Sequence, residues 1–127
     1  MSDAVLIGPA SVPPAGRGQL SADISSAVVR LFLKHTGRGP TKARTTIDAD
    51  LVVVLMKDTM TTGEKSLVRA GKETDVLHLR RTFQETLRSE LVETVEGLTD
   101  RSALSFMSSN NVDPDTAAMI FVLDQAI

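Results

Sequence analysis

From Asp75 to Leu98 the apolar residues Val76, Leu79, Phe83, Leu87, Leu91, Val95 and Leu98 return every three or four positions, with Arg, Gln and Glu between them. That spacing places all of them on one face of an α-helix. A stretch of about 24 residues at about 1.5 Å each gives a helix of about 36 Å. A strand of six or seven residues spans only about 20–23 Å. The helix therefore needs a broad partner surface, and one of its ends, Val76 and Leu79 or Val95 and Leu98, overhangs it.

Two segments supply that surface. TKARTTI and LVVVLMK flank Asp48-Ala-Asp50, a hairpin with an Asp-rich tip. The run Leu51 to Met56 is β-branched and nearly continuous, which predicts a central strand covered, at least in part, on both faces. ALSFMS and AAMIFVL form a second hairpin around the turn formers Ser109 to Asp115. Before the first hairpin, Leu20, Ile24, Ala27, Val28, Leu31 and Phe32 make a helical stripe beginning at Gln19 and closed by Gly37 at the C′ position. Thr61-Thr-Gly-Glu64 has the capping-box pattern and opens a short helix with Leu67 and Val68 inward, stopped by Gly71. The order is α-β-β-α-α-β-β, an α+β fold with a four-stranded, mainly antiparallel sheet and its helices packed on one face. Residues 1–18, rich in Pro, Gly, Ala and Ser, read as a flexible leader, with Val5-Leu6-Ile7 as a clip onto the single domain 19–127.

Composition excludes several functions. A net charge of −2 gives no global attraction to nucleic acid or anionic lipid, so a basic site must be local. The aromatic residues are four Phe with no Tyr or Trp, all on apolar stripes or strands, which argues against a stacking platform for nucleic acid and for a core role. The methionines of the hairpins read as core filler. The chain has no cysteine, hence no disulfide or thiol chemistry, in keeping with a reducing compartment. Its longest apolar run is far short of the roughly 20 residues of a membrane span, and the N-terminus lacks a basic n-region. The expectation is a soluble cytoplasmic domain without direct membrane insertion.

The blocks GRGPTKARTTIDADLVVVL, TTGEKSLVRAG, RRTFQETLRSELVETVEGLTDRSALSFMSS and DTAAMIFVLD, in that order, resemble the MpsC-type family. The resemblance covers about Gln19 to Asp124. The family, long a domain of unknown function, is named after a component of a sodium-translocating, membrane-potential-generating system. The resemblance implies a small bacterial or archaeal module with a membrane-associated protein partner, and it brings no catalytic residues with it.

The remaining chemistry concentrates in one loop, Gly37-Arg-Gly-Pro-Thr-Lys-Ala-Arg44. A nucleotide P-loop lies between a strand and a helix, and here the order is reversed, so a P-loop is excluded. Two readings stay open. Gly37 and Gly39 free the backbone to approach a phosphate or carboxylate that Arg38, Lys42 and Arg44 would clamp, joined by Arg80 and Arg81 in one positive patch. Alternatively the loop is a helix C-cap and turn, with His35 and Arg38 complementing the helix terminus.

No metal site is expected. His35 and His78 lie in different elements, and Asn111-Val-Asp113-Pro-Asp115 has Thr116 and Val122 where a calcium loop needs Gly and Glu. Asp48 and Asp50 sit at a solvated tip, no serine lies in a G-x-S-x-G elbow, and no cofactor is called for. The chain reads as a non-catalytic interaction or regulatory module, the alternative being a binding domain for a phosphate or nucleotide. The long helix carries Arg80, Arg81 and Arg88 early and Glu90, Glu93 and Glu96 late, against the helix dipole. An antiparallel second copy would match the two halves, and a homodimer is expected.

Overall fold

The structure, a computed structural model, describes residues 14–39 and 42–127. The element order is α1 (Pro14–Thr36), β1 (Lys42–Asp48), β2 (Leu51–Lys57), α2 (Thr62–Arg69), α3 (Glu73–Thr86), α4 (Arg88–Thr99), β3 (Ala103–Asn111) and β4 (Thr116–Leu123). All pairings are antiparallel and the strand order is β1-β2-β4-β3, so the two hairpins lie side by side. The expected α+β fold is the fold of the chain.

Helix α1 starts at Pro14, earlier than Gln19, because proline suits the first helical turn, where its missing N–H has no intrahelical partner. Most of the expected leader, including Val5-Leu6-Ile7, lies outside the described residues. Gly37 closes α1 at φ 78°, its amide donating to the Leu33 carbonyl at 3.0 Å. An added Cβ at Gly37 meets nothing within 4 Å. Gly37→Ala should therefore cost only the backbone strain of a left-handed alanine, about 1 kcal/mol. The urea midpoint should fall with an unchanged slope.

Alternation divides the sheet into two faces. Val52, Val54 and Met56 of β2 and Ala117, Met119, Phe121 and Leu123 of β4 are buried under Leu20, Ile24 and Val28 of α1 and Leu91 and Val95 of α4. Their alternates Leu51, Val53 and Leu55, and Ala118, Ile120 and Val122, are only half-buried. The run at 51–56 is central, as expected, but among the described residues helices cover only one of its faces. Met107, expected in the core, is half exposed, whereas Met56, Met60 and Met119 are buried.

The long helix is broken at Leu87, and this corrects the single rod read from its stripe. The Thr82 and Thr86 hydroxyls donate to the carbonyls of His78 and Thr82 at 3.0 and 2.8 Å, a back-bonding that bends helices. The halves also serve different cores. Leu87, Leu91 and Val95 belong to the main core, while Val76 packs with Met60 and Val112 in a smaller one. Leu79 stays exposed, as does Leu67 of α2, which was expected to point inward. The second hairpin turns later than expected, because β3 continues through Ser109, Asn110 and Asn111, paired with Ala118, Ala117 and Thr116. Asn110 is held there by reciprocal amide hydrogen bonds with Gln84 at 2.9 and 3.0 Å.

Candidate functional site

One end of the sheet carries a cleft of about 220 Å³ on the helix side. Its floor is the register pair Met56 and Ala117, where the small alanine leaves room. Phe32, from the last turns of α1, and Leu79 and Phe83 of α3 make apolar walls. Arg38, Thr59, Thr61, Glu64 and Arg80 add polar groups.

The capping box of α2 anchors the polar side. The Glu64 amide donates to the Thr61 hydroxyl at 3.1 Å, and the Thr61 amide donates to Glu64 Oε1 at 2.9 Å. The carboxylate also accepts from Arg80 Nε at 3.2 Å, in a pair whose side chains are only 10% and 11% exposed. Arg80 donates further to the Thr59 hydroxyl. Thr59 in turn donates to Asp115 Oδ1 at 2.8 Å, and Asp115 Oδ2 accepts from the Met60 amide at 2.8 Å. This continuous chain of donors and acceptors fixes α3 against α2 and the 58–61 loop. Buried polar groups so satisfied stiffen a wall.

Arg38 sits on the rim. Gly39 lets the loop press on α1, since a Cβ there would stand 3.2 Å from Val29 Cγ1. The Arg38 guanidinium pairs with the Asp58 carboxylate at 3.1 Å and donates to its carbonyl at 3.3 Å. Among the described residues its Nε is buried without a hydrogen-bond partner. A cleft with aromatic and aliphatic walls, a stiff polar side and a guanidinium at its rim suits a small molecule with an apolar body and an acceptor head.

Residues 16–125 match the family described as "Na+-translocating membrane potential-generating system (MpsC)". The chain belongs to the MpsC family. It is also 32% identical over 85 residues to YbcI, an uncharacterized protein of Bacillus subtilis (strain 168), over 66% of this chain and 63% of that protein. The match thus spans less than two thirds of that relative's own length. No solved structure matches the chain.

In this MpsC domain the seven residues expected to bind an anion are divided. Arg38 lines the rim and Arg80 the wall, with Arg80 already neutralised by Glu64, whereas Gly37 and Gly39 flank Arg38 in the chain without lining the cleft. Lys42 and Arg44 belong to the opposite face of the sheet, in alternation with Ala43 and Thr45 of the helix side. Arg81 is exposed on α3 and does not line the cleft. The sheet therefore splits the expected positive patch. Phe32, read from sequence as core, packs against the main core and also walls the cleft, while Phe83, read the same way, is half-buried in the cleft wall. Thr59, Thr61, Glu64 and Leu79 were not singled out as site residues, and only the capping box signalled two of them. Among the described residues no three His, Cys, Asp or Glu side chains stand together as a metal site. No described helix is long and apolar enough to cross a membrane.

Proposed function

We propose that the chain is a non-catalytic regulatory module that binds a small amphipathic anion, an apolar ring or short chain bearing a carboxylate, in the cleft between α1 and α3. The observation that carries this reading is the cationic Arg38 at the rim of a cleft walled by Phe32 and Phe83. A volume of about 220 Å³ is below the roughly 300–1,000 Å³ of drug-sized sites, which favours a compact ligand over a nucleotide. The polar side chains of the far wall pair with one another, so they position rather than transfer protons. The description of the family links it to a sodium-translocating membrane system, and on this reading ligand occupancy alters how the module meets a membrane-associated partner.

Thermal melting tests the ligand class. Benzoate and hexanoate should raise the melting temperature, and inorganic phosphate and nucleoside monophosphates should not, because a ligand held by the native state alone stabilises it. Arg38→Gln should remove that rise while changing the unliganded melting temperature little, since its Asp58 pair is partly exposed and screened by solvent. A phosphate-dependent rise, or a carboxylate effect unchanged in Arg38→Gln, would reject the reading.

A further inference from the structure

The face of the sheet turned away from the helices goes beyond the cleft and its ligand. Leu51, Val53, Leu55, Ile120 and Val122 form an apolar band along its two central strands, and Met107 of β3, 50% exposed, extends it. Contiguous apolar surface of this kind marks an interaction site. The charges along it are ordered. Lys42 and Arg44 of β1 and Lys57 of β2 lie at one end, with Lys42 directly opposite Lys57 in register. Like charges paired across strands repel, and none of the three has an acidic partner among the described residues. At the other end of the same face stands Asp48, with Asp50 in the turn beyond.

We infer that this face binds a second copy of the chain, sheet against sheet. A two-fold axis lying between the sheets and across the strands reverses β1 over β1. It sets Lys42 and Arg44 of each copy against Asp48 of the other, and Lys57 against the other's Asp48–Leu51 turn. The apolar bands then meet at the centre. The surface is self-complementary in both pattern and charge, as an isologous interface requires. The stack is a β-sandwich with its sheets about 10 Å apart. Four strands about 4.8 Å apart and about 23 Å long give a footprint of about 440 Å² per copy. The total of about 900 Å² is below the roughly 1,200–2,000 Å² of stable complexes, so the dimer is a weak, reversible one. The arrangement differs from helix-to-helix pairing, for which the break at Leu87 and the engagement of Arg80 by Glu64 leave no straight charged rod.

Sedimentation velocity on the full chain, from about 5 to about 500 µM, tests the inference. The mass should rise from 13.6 kDa toward twice that value. Val53→Asp with Ile120→Asp should hold it at the monomer mass. Lys42→Glu should weaken association by about tenfold, and adding Asp48→Lys should restore it. Both are exposed β1 residues, so this second pair of variants remains informative if the double aspartate variant does not fold. A monomer at the highest concentration overturns the inference. So does a dimer broken by Glu93→Arg but indifferent to Lys42→Glu. Dimerisation that appears only after residues 1–13 are removed would also overturn it, by making that segment the occupant of the face.

Discussion

Replacing Arg80 by Met should lower stability by about 3–5 kcal/mol, because it strands the Glu64 carboxylate in a place where water barely reaches. The damage spreads along the chain of donors. Thr59 loses the donor that orients its hydroxyl toward Asp115, and that contact ties the 58–61 loop to the β3–β4 turn. Glu64→Gln should be milder, since a glutamine oxygen can still accept from the Thr61 amide and preserve the cap. The double variant Arg80→Met/Glu64→Gln should recover part of the loss, because no unpaired charge is left buried. Urea unfolding of the four proteins checks this as a double-mutant cycle. Strict additivity of the two changes would mean that the pair contributes nothing as a pair.

Phe121→Ala should cost about as much, some 3–5 kcal/mol, by a different route. Phe121 is fully buried on β4, between Val52 of β2 and Phe106 of β3, with the two phenyl rings 5.0 Å apart and tilted by 48°. Its cross-strand neighbours Val52 and Phe106 are held by the sheet and cannot close over the space, so a cavity remains. For a domain of this size the melting temperature should drop by about 10–20 °C. Met107→Ala, one residue from Phe106 but on the outward face, should change it by no more than about 2 °C. If Met107→Ala proves as harmful as Phe121→Ala, that face is buried in solution at the concentration of the measurement.

Much of the fold was legible because its signals are local. Gly37 ends a helix, Thr61 and Glu64 begin one, and the first hairpin turns between Asp48 and Leu51, all from side chains within a few positions of one another. The break at Leu87 was hidden because the stripe Phe83, Leu87, Leu91 continues through it without a change of period. Only the back-bonding threonines Thr82 and Thr86 hinted at a bend. The extension of β3 through Asn110 was equally hidden, since asparagine reads as a turn former and its Gln84 partner lies 26 residues away. The cleft is the extreme case. Its walls come from α1, α3, β2, β4 and the loops between them, and Phe32 and Phe83 look like core on their own helices. A loop rich in bases suggested one patch, but alternation along β1 turned Lys42 and Arg44 away from Arg38.

The division of the molecule into two apolar clusters has a kinetic consequence. The main core spans α1, α4 and the sheet, whereas Met60, Val76 and Val112 gather the outlying helices α2 and α3 around a far smaller nucleus. Such a segment opens at a lower free energy than the body that carries it, in a local unfolding event that leaves the sheet intact. Since α3 is one wall of the cleft and α1 the other, that opening also parts the walls of the cleft. A molecule held by both walls, as proposed, would suppress that opening.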